Sequence, residues 1–403
     1  MSKARPIRFD NLTKLTLLTF FSLLFFYAPV MTLFLQERGL SLWQINSLWS
    51  AILISSFLAE IPTGLIADRI GRKRSILIAL LLQFFGKVLF IFSQNYGVLL
   101  CVSVLSGIGF AFSSGALEAF LFDDLKARNR EHDMTWAMGR LSAGGRAGNI
   151  VSALIGGVLA TNLALTTANF QIMISMTAAA LTIALFLAFR LDESDQSEMQ
   201  DQSEEDGFFV NVKAGWQQIV SSSLLIGFAL ILIFSNSFSD YLLNLYQPYF
   251  VISRVSAVWL GWAPAAGAFL GIFVAINAWR LKQQMGHYRA VLLAIILPAF
   301  FYFGMAWQAQ PIWAVIMVIG FIASIQLSRP LMSELINQHI DSNSRATTLS
   351  LINMGATIYE AAMGFALGSI ADRTLSGAFW VMGGVIVFAT AIAWLLFLKL
   401  KES

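Results

Sequence analysis

The chain has 403 residues, 57% of them apolar and only 12% charged, with a net charge of +3 and a mean hydropathy of +0.71. A soluble domain is about one quarter charged, so this composition excludes an ordinary soluble globular protein. The bases are spread over many short segments, which removes nucleic acid as a reason for the positive balance.

An apolar run of about 18 or more residues can cross a bilayer as a helix. Twelve such runs follow one another: 15–36, 46–68, 75–94, 97–123, 138–160, 166–190, 222–252, 256–280, 289–308, 311–337, 347–371 and 375–400. They predict an all-α membrane protein with twelve transmembrane helices, here spans 1 to 12. The first run is too long for a signal-peptide core and lacks a small-residue cleavage site.

With the N-terminus in the cytoplasm, the inside segments hold Lys3, Arg5, Arg8, Lys14, the bases of Arg69 to Arg74, Lys126, Arg128, Arg130, Arg280, Lys282, Arg289, Arg345, Lys399 and Lys401. The outside loops hold only Arg38, Arg254 and Arg373. The positive-inside rule therefore places both termini in the cytoplasm. Cys101 is the sole cysteine, so no intrachain disulfide forms. The three histidines are far apart and show no metal-ligand spacing, so no metal site is expected.

Asp192 to Asp206 holds eight acids and no base, the composition of a solvated linker. It divides the chain into 1–190, a linker over 191–221, and 222–403, with six spans on either side. The halves echo each other: Ile108-Gly109-Phe110 aligns with Ile319-Gly320-Phe321, and Phe34, Arg38 and Trp43 align with Phe250, Arg254 and Trp259. Duplicated halves around a central site are a common transporter plan.

The stretch Gly64-Leu-Ile-Ala-Asp68-Arg69-Ile-Gly71-Arg72-Lys-Arg74 lies between spans 2 and 3. It resembles the signature cytoplasmic loop of the major facilitator superfamily. The loop between spans 8 and 9 keeps Gly286 but has Gln283 and Gln284 where the first copy has its acid. The resemblance implies two pseudo-symmetric six-helix bundles and a secondary transporter. It also implies a conformational latch: Asp68 faces the start of span 11, Arg72 bonds Asp68 and either Asp123 or Asp124, Gly64 permits close helix approach, and Gly71 makes the turn. Asp68 needs such a partner, because an acid at its own helix C-terminus is unfavourably placed.

Glu60-Ile-Pro-Thr-Gly64, with Ser114-Gly-Ala-Leu-Glu118-Ala119, is similar to a multidrug or uncharacterised permease branch of that superfamily. Two antiporter motifs of the family are incomplete. Ser103 stands where the span 4 motif has its arginine, and the span 5 motif keeps Gly156 and Gly157 but lacks its Gly-Pro.

Ionisable groups within a membrane span are costly and are functional candidates by default. By helix rise, Glu60, Arg146 and Arg329 lie about 12 Å from the cytoplasmic ends and Glu118 about 9 Å, forming a candidate charged layer. Lys87 is deep enough to reach Glu60. Glu360 is near the midplane, and Asp240 is in the outer half of span 7. The resemblance assigns spans 1, 4, 7 and 10 to the cavity. Glu118, Asp240 and Arg329 then become candidates for cavity lining and proton coupling, beside Glu360, and Tyr27 and Tyr246 become candidate cavity residues. Stripes at helical spacing, Gly145-Asn149-Ser152-Gly156 in span 5 and Asn353-Thr357-Glu360-Gly364-Gly368 in span 11, suit close packing.

These readings predict proton-coupled export of small organic molecules, with the proton gradient as driving force and no cofactor. A proton symporter importing an organic solute uses the same parts, and a non-transporting membrane receptor is a third reading. No nucleophile–base pair or phosphate-binding loop points to an enzyme. The expected setting is a monomer in the lipid bilayer of the inner membrane, with a small-molecule substrate and no nucleic acid.

Overall fold

The computed structural model describes residues 10–162, 167–192, 220, 223–236, 239–307, 310–339 and 345–402, and no strand occurs among them. The linker expected over 191–221 falls almost wholly outside the described residues. In the first half, span 2 is Leu42–Ile70, span 3 Arg72–Phe92, span 4 Tyr96–Ala127, span 5 Met134–Asn162 and span 6 Thr167–Phe189. In the second, span 8 is Trp259–Ile276, span 9 His287–Trp307, span 10 Pro311–His339, span 11 Arg345–Arg373 and span 12 Leu375–Glu402. Span 1 consists of Asn11–Ser22 and Met31–Glu37, and span 7 of Ser223–Asn236 and Ser239–Ile252.

Eight of the described helices, spans 2, 3, 4, 6, 8, 9, 10 and 12, are individually long and apolar enough to cross a membrane. The other four form the pairs 1 with 7 and 5 with 11, each six spans apart, as a repeat requires.

The gap in span 1 has a local cause. Pro29 has no N–H to donate and its ring opposes a continuous helix, so the chain passes residues 23–30 through turns. The freed backbone is satisfied internally, as a membrane requires. Ala28 N donates to Phe25 O at 3.0 Å, and Phe26 N donates to Thr177 Oγ1 of span 6 at 3.1 Å.

The repeat is visible in the backbone. Gly39 and Arg254 have positive φ of 85° and 55°, and Gly71 and Gly286 have 95° and 83°; each second-half residue lies 215 positions after its counterpart. Leu40 N bonds Leu35 O after span 1, and Val255 N bonds Phe250 O after span 7. These matching helix caps set Leu35, and not Phe34, opposite Phe250, a one-residue correction to the sequence register. Gly109 and Gly320 are 211 positions apart, a shift of four from that register, yet they occupy corresponding places: one packs on span 3 at Ala79, the other on span 9 at Phe301.

The chain divides into two compact units. One contains residues 1–28, 51–156 and 163–200, the other 29–50, 157–162 and 201–403. The first unit is centred on Leu15, Leu18, Ile76, Leu121, Leu141 and Leu181, contributed by spans 1, 3, 4, 5 and 6. Gly144 and Gly148 of span 5 lie against the backbone of Thr16 and Phe20, so the close-packing face includes these glycines beside Gly145, while Asn149 of the expected stripe is exposed. The last carbonyls of span 6 have no helical partner of their own. Lys14 Nζ donates to Arg190 O at 2.6 Å, Lys73 Nζ to Leu191 O at 2.8 Å and Asn11 Nδ2 to Asp192 O at 2.8 Å.

The second unit has an aromatic centre. Tyr302 is fully buried, 4.4 Å from the Phe321 ring and 6.2 Å from that of Phe379. In both units large apolar side chains such as Phe92, Phe186, Phe300 and Trp394 are exposed, a surface that suits hydrocarbon.

Candidate functional site

In the second unit, span 7 presents Tyr241, Asn244 and Gln247 at three-residue spacing, one face of a helix. Each bonds a residue from the later parts of span 1 or the start of span 2. Gln247 Oε1 accepts from Thr32 N at 2.8 Å, Asn244 Nδ2 donates to Asn46 Oδ1 at 3.1 Å, and Tyr241 Oη lies 3.1 Å from Ser50 Oγ. Tyr241 Oη also donates to the backbone carbonyl of Glu360 at 2.8 Å.

Span 11 supplies the third wall through Glu360, Gly364, Gly368 and Asp372, each four residues on. A Cβ on Gly364 would overlap Tyr241 and Ser50, and one on Gly368 would lie 2.6 Å from Trp43 Cα. The expected glycine face of span 11 is therefore a close-packing face. Asp372 ends the row with Oδ1 and Oδ2 accepting from Leu42 N and Trp43 N at 2.7 and 3.1 Å.

Beneath this polar ladder lie the charges. Asp240 retains solvent-accessible surface although it sits within span 7, next to the fully buried Tyr241. It stands within Coulombic range of Arg329, Glu360 and the hydroxyls of Tyr241 and Tyr302. Arg329 is exposed and Glu360 half-buried, with Trp49 Nε1 at 3.5 Å from Glu360 Oε1. Among the described residues no ion pair joins Asp240 or Glu360 to a base.

The first unit places its own charges differently. Glu60, Glu118 and Arg146 are all exposed and form no ion pair among the described residues. Lys87 does not reach Glu60. Its ammonium sits 5.4 Å from the Phe25 ring centre and 5.2 Å from that of Tyr27, where the ring faces attract a cation. Tyr27 is itself buried among Phe90 and Phe170, and Tyr246 is buried with its hydroxyl donating to Leu260 O at 2.6 Å. Both tyrosines are buried in this structure.

At the expected latch, Arg72 Nη1, at the start of span 3, pairs with Asp68 Oδ1, near the end of span 2, at 2.8 Å. Gly71 begins span 3 with φ 95° and ψ 151°, a conformation open essentially to glycine alone. Gly64 is exposed, and a Cβ there would meet nothing within 4 Å. Arg72 does not hold Asp124. That carboxylate is buried and accepts from Asn11 Nδ2 at 2.6 Å and Arg128 Nη2 at 2.9 Å. Asp123 is half-buried and forms no ion pair among the described residues. The second-half loop behaves otherwise: Lys282 there pairs with Glu334 of span 10.

A twelve-span repeat with a glycine-turned basic loop after span 2 has a counterpart among known proteins. Residues 15–359 match the Major Facilitator Superfamily. The chain belongs to that superfamily. A "Multidrug resistance protein MdtG" from Yersinia enterocolitica is 35% identical over 144 residues, 34% of this chain and 33% of the relative. A "Vesicular acetylcholine transporter" from Tetronarce californica is 33% identical over 116 residues, 29% of this chain and 22% of the relative. The chain thus matches about a third or less of these curated relatives' length. A crystal structure of the nucleoside transporter NupG, in a point-mutant form, superimposes with a TM-score of 0.76 at 12% identity, covering 96% of this chain and 100% of that one. The superfamily member described here is a multi-pass, all-α membrane protein with two six-span halves.

Sequence reasoning missed Asn46, Ser50, Asn244, Gln247, Tyr302 and Asp372. A signal existed for some: Tyr241, Asn244 and Gln247 are polar residues at helical spacing inside an apolar run.

Proposed function

We propose that this protein is a proton-coupled exporter of small organic molecules, working by alternating access as a monomer in the inner membrane with both termini cytoplasmic. Asp240 carries the reading. It is a carboxylate with solvent-accessible surface within a membrane span, in Coulombic range of Arg329 and Glu360, and bound in no ion pair among the described residues. A group so placed can exchange a proton whenever water reaches it, and its interaction with Arg329 changes if the helices move. Glu360 is the second candidate carrier, and Glu60, Glu118 and Arg146 are candidates for substrate contact. The proton gradient supplies the driving force, with no cofactor. The partial match to a multidrug resistance protein supports export, and the match to an acetylcholine transporter supports a small organic substrate. The reversed coupling, import by symport, uses the same carboxylates and differs in the sign of the flux.

The test is proton movement in inside-out vesicles with an acid interior and candidate compounds added outside. Export predicts a compound that dissipates the gradient, with the effect reduced at least about a hundredfold by Asp240→Asn, as when a proton-transfer group is removed. A compound that acidifies the interior further would establish symport. A broad panel that moves no protons, in vesicles containing folded protein, would overturn the coupling.

A further inference from the structure

The end of span 11 repeats the end of span 2. Gly368-Ser-Ile-Ala-Asp372-Arg373 matches Gly64-Leu-Ile-Ala-Asp68-Arg69 at five of six positions. Both sextets close their helices, but spans 2 and 11 run in opposite directions through the membrane under the proposed topology. One motif then lies at the cytoplasmic face and the other at the outer face.

In this structure the outer copy is engaged. Its carboxylate accepts two backbone N–H groups, Leu42 N and Trp43 N, at the first turn of span 2. Those donors have no partner within their own helix. The negative charge also complements the positive end of the span 2 dipole, while leaving the unfavourable negative end of span 11. Gly368 makes the approach feasible, because a side chain there would run into the backbone of Trp43 and Leu42. Beneath this contact, Asn46–Asn244, Ser50–Tyr241 and Gly364 continue the seam, and Ser47 is buried at 1% exposure.

The geometry points to Asp372 and Gly368 as an outer latch: they hold span 2 against span 11 while the outer path is closed, and they must separate for it to open. Asp68 and Gly64, carrying the same residues at the other face, are the inner counterpart in the opposite state. The inference rests on the alternating-access reading but not on any substrate or coupling ion.

The test is labelling from outside in right-side-out vesicles, with Cys101→Ser removing the native thiol and Ser47→Cys providing a reporter. The probe is a membrane-impermeant maleimide. Asp372→Asn should raise the labelling rate about tenfold or more, the factor that follows from losing a charge-assisted hydrogen bond. Gly368→Ala should raise it too without altering charge, and it carries the test should Asp372→Asn fail to fold. Asp68→Asn should lower the rate or leave it unchanged, by weakening the opposite state. An unchanged or reduced rate in Asp372→Asn, or in Gly368→Ala where that variant stands in, would overturn the latch. The labelling needs neither substrate nor proton gradient, so a failed proton assay and an unchanged labelling rate are separate results.

Discussion

Two helix ends in this molecule carry nearly the same six residues and behave differently. At the end of span 2, Asp68 is exposed and turns back to Arg72 of the next helix, and Gly64 meets open space. At the end of span 11, Asp372 reaches two backbone donors of another helix, and Gly368 lies against its backbone. The difference cannot come from the motif itself. It comes from the surroundings of each end; under the proposed latch, the short sequence is a capacity to dock that the state of the protein uses or leaves idle.

Substitutions at matched positions sharpen that contrast. Gly368→Ala should cost about 1–3 kcal/mol through overpacking against immovable backbone. Gly64→Ala should instead leave stability unchanged or raise it by up to about 1 kcal/mol through helix propensity. Thermal unfolding of the two variants in detergent would show this; equal costs would break the comparison. Next in size, Asp372→Asn should lose about 1.5 kcal/mol, the lower end for charge-assisted bonds, because the carboxylate and its Trp43 donor are exposed. Asp68→Asn should lose about 0.5 kcal/mol or less, because an exposed pair contributes little. Denaturant titration of these two variants separates the values.

The smallest effect belongs to Asp10, which caps its own helix through Thr13 N at 3.0 Å. Burial works to raise its carboxyl, but the Thr13 hydrogen bonds and the charges of Arg128 and Arg140 outweigh this and hold it below the usual 3.8. The folded form thus favours the carboxylate. Its contribution is fully present above 3.8 and is lost as pH falls through the lower folded value. Asp10→Ala should cost about 1 kcal/mol at neutral pH, and the gap from the parent protein should close in strong acid. A pH series of unfolding midpoints for parent and variant measures it.

The spans were legible because run length alone identifies a membrane helix, and the glycine turn at Gly71 was legible because few residues can replace it. The row Glu360-Gly364-Gly368 was read correctly from its four-residue spacing. The orientations of Tyr27, Tyr246 and Lys87 were not legible. A helix that is apolar all round has no polar face to reveal its rotation, so depth in the membrane says little about which neighbour a side chain meets. Lys87 was at a plausible depth for Glu60 but turns to Phe25 and Tyr27. Asp372 was hidden for another reason: its partners are backbone groups, which no residue pattern advertises. The third member expected of the inner latch went wrong through competition, since Asn11 and Arg128 already occupy Asp124.

The anchoring of span 6 has a mechanical consequence. Its final carbonyls are gripped by Lys14 and Asn11 of span 1 and Lys73 of span 3, immediately before the acidic stretch that leads to the second half. A pull transmitted along that stretch arrives at a post held by three side chains of two neighbouring helices. The tension is shared across the bundle, and the last turn of span 6 is guarded against unwinding. Cutting one guy-rope, as in Lys73→Ala, would leave the post standing on the remaining two.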